Sequence, residues 1–263
     1  MIEKNENFPN ALEGVMLMAA LMMVEYVIGA ALYDMRGALG MDPRDLAGMI
    51  MIISNGIIFT FLMEYKGLTY RELFHSSASQ AGASLALIVP AILLTVPALI
   101  MVVGFVLDIT IRLFPLSPSQ VEMFKEMGSG SVGSVIITCL LAPVLEEMLF
   151  RGIILRSFLR QYPRWFSIGG SALIFGVAHM NVYQFTAAFI LGVFLAWLYQ
   201  RTKSLLPCIL LHAVYNAVLL GITLMGGEWA EAAVRDGGTL VLGSALLVGG
   251  AGLYLLRRVL PAK

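Results

Sequence analysis

The chain has 263 residues, 59% of them hydrophobic and 13% charged, with a mean hydropathy of +0.86. A soluble domain carries about a quarter charged residues, so the composition excludes an ordinary water-soluble fold and specifies an all-α, polytopic membrane helix bundle, one transmembrane domain over residues 1–263. Seventeen acidic residues balance seventeen basic ones, which leaves no net charge to attract nucleic acid; the expected surroundings are a lipid bilayer.

Eight apolar runs of about 20 residues, the length that crosses a bilayer, follow one another along the chain. The first, Ala11 to Tyr33, holds Glu25 near its middle, placed to snorkel, pair or line a cavity. The second, Leu46 to Met63, holds Asn55, whose amide suits an interhelical hydrogen bond. In the polar stretch 64–80, Tyr70-Arg71-Glu72-Leu73-Phe74 has the pattern of a short interfacial helix, and His75 is expected to be solvated. The third run, Ala81 to Leu107, contains Pro90 and Pro97, which predict a kink or tilt. Residues 108–130 read as a loop with Pro115, Pro118 and a Gly-Ser-Gly-Ser approach to the next helix. The fourth run begins at Ser131 and passes Arg151, with Pro143 placed to bend it; Arg156, Arg160 and Arg164 form a basic exit. The fifth runs from Trp165 to Met180, the sixth from Tyr183 to Tyr199 and the seventh from Leu205 to Met225. The eighth, Thr239 to Leu256, is glycine-rich and expected to serve packing. No internal repeat divides the chain.

Eleven of the seventeen lysines and arginines fall on the side shared by the two termini and five on the other, so the positive-inside rule predicts cytoplasmic termini. Compact length and short loops lean toward a prokaryotic plasma membrane. The start, Met-Ile-Glu-Lys-Asn-Glu-Asn, lacks the basic region and cleavage site of a signal peptide, and the final Leu-Pro-Ala-Lys is no lipidation motif. Cys139 and Cys208 lie in predicted spans and read as small packing residues.

Charge inside the fourth run is where function concentrates. A charged side chain at bilayer depth costs a few kcal/mol on insertion scales and persists where it faces protein or trapped water. Glu147 and Arg151 are four apart on one helical face and can pair. Glu146 points about 100° away and has no local partner. Glu146 lies about 15 Å from the cytoplasmic Arg156, His179 about 20 Å from that side and His212 about 12 Å in, with Asn216 one turn deeper. Three helices thus bring polar groups to similar depth, which argues for one shared cavity. His212 and Asn216 share a helical face, as do Phe175 and His179; Phe175 reads as packing.

A carboxylate beside an imidazole can deprotonate water, and a His and an Asn on a facing helix can donate to a developing oxyanion. These parts suffice for water-mediated hydrolysis of an amide. Glu and His are also good zinc ligands, so Glu146, His179 and His212 are the candidate ligands of a divalent metal. His-Glu-x-x-His and Gly-x-Ser-x-Gly sequences are absent, which speaks against zincin geometry and a serine nucleophile. Two other readings compete: a non-catalytic scaffold or immunity protein of the same fold, and a transporter using the carboxylates and histidines as a proton relay, the latter disfavoured by the lack of repeats.

Glu146-Glu147-x-x-x-Arg151, Phe175-x-x-x-His179 and His212-x-x-x-Asn216, in that order on three membrane helices, resemble the motifs of the CAAX protease and bacteriocin-processing (CPBP, or Abi) intramembrane proteases, which include the type II CAAX prenyl endopeptidases. The resemblance covers about residues 131–222. It implies an eight-helix bundle with a conical cavity, and an endopeptidase acting on a membrane-associated peptide or protein, prenylated CAAX proteins among them. It further implies that Glu146 activates water with His179, that Glu147 and Arg151 stabilise the site, and that His212 and Asn216 form an oxyanion hole.

Overall fold

The computed structural model describes residues 7–40, 46–76, 81–128, 130–225 and 228–260. Met1–Glu6, Ser77–Gln80, Ser129 and Pro261–Lys263, on which parts of the sequence reading rest, lie outside them. The described residues form ten helices: α1 (Ala11–Leu39), α2 (Leu46–Lys66), α3 (Tyr70–Phe74), α4 (Ala81–Leu113), α5 (Pro118–Met127), α6 (Val132–Gln161), α7 (Arg164–Val177), α8 (Val182–Thr202), α9 (Leu206–Leu224) and α10 (Glu228–Val259). Seven of them, α1, α2, α4, α6, α8, α9 and α10, are long and apolar enough to cross a membrane. The remaining expected span is α7, whose 14 residues reach about 21 Å at 1.5 Å per residue, short of a hydrocarbon core of about 30 Å.

Local chemistry fixes the helix ends. Asn10 and Glu13 make a capping box at α1, and Gly40 ends that helix in the left-handed region at φ 64°. Thr69 and Glu72 do the same for the interfacial helix α3. Residues 118–127, expected as loop, are helix α5, because Ser117 and Gln120 form a third capping box with Pro118 in the first turn. α4 runs through Pro90 and Pro97 as a single helix.

The core gathers where α6, α7, α8 and α9 meet, around Ile153, Ile154, Leu155, Ala172, Leu195 and Leu211, all of them closed to solvent. Lipid is as apolar as these side chains, so close packing rather than the hydrophobic effect holds such helices together. α3 is stapled onto this core: Leu73 lies over Gly152, Arg156 Nη1 donates to Glu72 O at 2.8 Å, and Leu205 N donates to Phe74 O at 2.8 Å. His75, expected to be solvated, is instead half-buried and bridged through its backbone to Ser204.

α10 packs along α4 through its glycines. A Cβ at Gly249 would lie 2.1 Å from Ala98 Cβ, and one at Gly252 would lie 2.8 Å from the Ala91 carbonyl oxygen. Missing side chains let the two backbones approach. Gly249→Leu should therefore lower the thermal midpoint in detergent, since overpacking costs about 1–3 kcal/mol. Gly250→Leu, where a Cβ meets nothing within 4 Å, should leave the midpoint within error.

Candidate active site

The helix that carries the two glutamates is not uniform. π-helical turns at Ile137–Leu141 and Met148–Leu155 flank one α-helical stretch, Ala142–Glu147. Pro143 has no N–H and its ring crowds the carbonyl four residues back, and the wide turn ahead of it relieves that clash. Ala142 N–H accordingly bonds Ile137 O, five residues back. π turns are rare and tend to occur at functional sites.

Glu147 and Arg151 are both fully closed to solvent. Oε1 of Glu147 accepts from Arg151 Nη1 at 2.9 Å and from His212 Nδ1 at 2.9 Å. Arg151 Nη2 reaches the Gly192 carbonyl at 3.2 Å, and its Cζ lies 4.5 Å from the centre of the Phe175 ring. A side chain at Gly192 would press on Phe175 and Ala172, at 3.1 and 3.2 Å; its absence brings that carbonyl within reach of the guanidinium. The edges of Phe175 meet His179 and His212, with ring centres 5.1 and 5.9 Å apart.

Glu146 faces the other way. Its side chain is 28% exposed, and Oε2 lies 3.8 Å from His212 Nε2, close enough for attraction between charges but too long for a hydrogen bond. His212 thus stands between the two carboxylates, giving its Nδ1 proton to Glu147 and turning Nε2 to Glu146. His179 follows the C-terminus of α7, and its Nδ1 is 2.9 Å from Phe175 O. A carbonyl only accepts, so Nδ1 carries the hydrogen and the neutral ring presents a lone pair at Nε2. Glu146 and His179 line a cavity of about 160 Å³ together with Phe175, Glu25, Asn55 and the methionines Met18, Met22 and Met51. Such a volume holds several waters, given that one needs about 10–15 Å³ of this kind.

The fourth, fifth and seventh runs do meet, and the cavity lined by Glu146 and His179 is not lined by His212 or Asn216. His212 approaches Glu146 and Glu147 from α9, while the cavity wall opposite Glu146 is built by α1 and α2. Asn216 does not point toward the reacting side: Nδ2 donates to the Thr138 carbonyl at 2.9 Å, so the paired oxyanion donors implied by the resemblance are not assembled here. Asn55 bonds within its own helix, Nδ2 to Met51 O at 3.0 Å, rather than across to another. Among the described residues no three of His, Cys, Asp and Glu converge as metal ligands. His179 and His212 each use Nδ1 elsewhere, which leaves Nε2 as the metal donor each ring would offer, but among the described residues these nitrogens and Glu146 do not converge on one point. Phe175 and Gly192 were missed as site residues; the i, i+4 spacing of Phe175 and His179 was the available signal for the first.

Residues 128–218 match the family model of type II CAAX prenyl endopeptidase Rce1-like proteins. The match covers about a third of the chain. It contains all three motifs, from Glu146 to Asn216. A Bacillus subtilis protein named "Putative membrane peptidase YdiL" is 29% identical over 86 residues, 33% of this chain and 35% of that protein. An "Uncharacterized 24.3 kDa protein" of Escherichia coli is 33% identical over 114 residues, 40% of this chain and 52% of that one. The chain thus spans between about a third and a half of the length of these curated relatives. No solved structure matches. With seven helices apolar enough to cross a bilayer, the matched segment sits in an integral membrane protein.

The Glu147–Arg151 pair yields a stability prediction. Removing one partner of a buried pair leaves the other charge uncompensated, at a cost of about 3–5 kcal/mol. Arg151→Ala should lower the thermal midpoint in detergent by several degrees or abolish folded yield, as monitored by size-exclusion chromatography.

Proposed function

We propose that the chain is an intramembrane endopeptidase that hydrolyses a peptide bond with a water activated by Glu146 and His179. The observation that carries this reading is the division of labour between neighbours: Glu147 is locked by Arg151 and His212, while Glu146 is part-exposed and borders a cavity with His179. The water sits between the Glu146 carboxylate and His179 Nε2. Its oxygen attacks the carbonyl carbon as Glu146 takes its proton, which forms a C–O bond and an oxyanion. Collapse of that intermediate breaks the C–N bond, and Glu146 returns the proton to the departing amine, releasing an acid and an amine. His212, aligned by Glu147 and edged by Phe175, presents Nε2 to the side of Glu146 away from α1 and α2, where a proton would offset the carboxylate's charge.

The Rce1-like segment supports a substrate that is itself held at the membrane, a peptide or anchored protein, with prenylated CAAX-type chains as the leading class. Compact length and short loops support a prokaryotic plasma membrane, and the excess of lysine and arginine on one side, counted with the short α7 as an eighth crossing, supports two cytoplasmic termini. A fluorescent protein that matures only in the cytoplasm, fused after Lys263, should therefore light up; a dark but expressed fusion overturns the placement of the C-terminus.

Glu146 makes no direct hydrogen bond that holds the fold together, so Glu146→Gln in purified protein should keep the thermal midpoint. The same variant should lose about 10²–10⁴-fold in peptide hydrolysis, the usual contribution of a general base. Undiminished turnover would remove the endopeptidase reading. Metal analysis of active protein tests the chemistry separately, with activity at substoichiometric metal expected.

A further inference from the structure

We propose that Asn216 is a positioning residue: its amide occupies a backbone carbonyl that Pro143 leaves without a donor, and so holds the glutamate-bearing turn of α6 in register. In an α-helix the Thr138 carbonyl would accept from the N–H of residue 142, and in a π turn from that of residue 143. Here Ala142 donates to Ile137 O instead, and residue 143 is a proline with no hydrogen to give. The Thr138 carbonyl is therefore orphaned within a membrane helix, where an unsatisfied backbone group is costly. Asn216 fills the vacancy from α9, with Nδ2 at 2.9 Å from Thr138 O.

The consequence reaches the reacting groups through geometry. Asn216 and His212 are four residues apart on one face of α9. The first grips α6 before Pro143 and the second grips it after, at Glu147 Oε1. Two attachments on either side of the irregular turn fix both its height and its rotation against α9. Glu146 lies between them, so the direction of its carboxylate depends on both. A helix with a widened turn can rewind by one residue, which would carry Glu146 about 100° around the axis and out of the cavity. Asn216 opposes that rewinding by binding the carbonyl that only the widened form exposes.

The effect on turnover rests on the peptidase reading; the bond itself does not, and the test separates the two. Thr138-Cys139 is the only Thr-Cys step in the sequence, so full-length protein labelled with carbonyl-¹³C threonine and ¹⁵N cysteine gives one selected signal for the Thr138 carbonyl. Asn216→Leu keeps the size and removes the donor. The ¹³C resonance should move upfield in N216L, as a carbonyl losing its hydrogen bond does, and kcat/KM should fall about 10²-fold, the order expected of a small misplacement. P143A restores a backbone N–H beside the orphan carbonyl, so in that background N216L should cost only a few-fold.

An unmoved resonance overturns the proposal. So does an undiminished N216L penalty in a folded P143A protein, the behaviour of a donor that contacts the reacting oxyanion directly. Where N216L does not fold, N216D replaces it, offering an acceptor where the donor was; where P143A does not fold, the resonance alone decides. A shifted resonance in a protein whose wild type hydrolyses no peptide leaves the Asn216 tie in place and removes the peptidase reading.

Discussion

The structure depends on how a guanidinium is kept inside a bilayer-spanning bundle. Arg151 has no exposed surface, and an unpaired cation at that depth is expensive on any scale. Its partners come from three directions: the Glu147 carboxylate one turn earlier, the Gly192 carbonyl of α8, and the face of Phe175 from α7. Each contact presupposes a neighbour. Phe175 can lie over the guanidinium because Gly192 has no side chain, and Glu147 is held because His212 bonds the same oxygen. α6, α7, α8 and α9 are therefore locked around one cation. Burying such a pair is weak evidence of stability in itself; its stronger consequence is a single arrangement of the helices that bear the chemistry.

Against that fixed point the two adjacent glutamates acquire opposite characters. Glu147 looks into the bundle and holds its neighbours. Glu146, about 100° away, looks into the cavity. A uniform α-helix through Pro143 would lose a backbone bond and strain a carbonyl, and the wide turn before it, Ile137–Leu141, absorbs that conflict. The irregularity is thus a way of aiming one carboxylate while the other stays anchored. It costs backbone hydrogen bonds, and a side chain from another helix restores one of them.

Much of this was legible in the sequence, and the reason is periodicity. Hydropathy located the seven helices long enough to cross a bilayer, and the shorter α7 with them, because lipid demands unbroken runs of internally satisfied backbone. The Glu147–Arg151 pair followed from i, i+4 spacing alone. Position along a helix axis was also readable, which is why Glu146, His179 and His212 were expected at similar depth. Rotation about the axis was not. A 3.6-residue period assumes a regular helix, and π turns reset the phase, so that Asn216 meets Thr138 and not the space beside Glu146. Pro143 announced a bend, but nothing in a linear reading says whether a proline kinks a helix or widens it. Asn55 failed for a related reason: an amide in a span must be satisfied, but the sequence does not say whether its own helix or another supplies the acceptor.

The cavity raises a last point about where specificity resides. Glu146 and His179 come from the Rce1-like segment, whereas Glu25, Asn55, Met18, Met22 and Met51 come from α1 and α2, outside it. Of these helices α1 is the most loosely packed. Half of the most apolar stretch of α8 is buried within the protein, against 11% of that of α1, and Met23, Tyr26 and Val27 on α1 are exposed. In a bilayer these side chains face acyl chains. Glu146 and His179 therefore sit between the helices that fix their geometry and a sparsely packed α1 that brings the unbranched, adaptable side chains of Met18 and Met22 to the cavity. Chemistry needs positions held to fractions of an ångström, and the membrane-held peptide substrate proposed above needs a wall that yields. One chain meets both demands by assigning them to different helices.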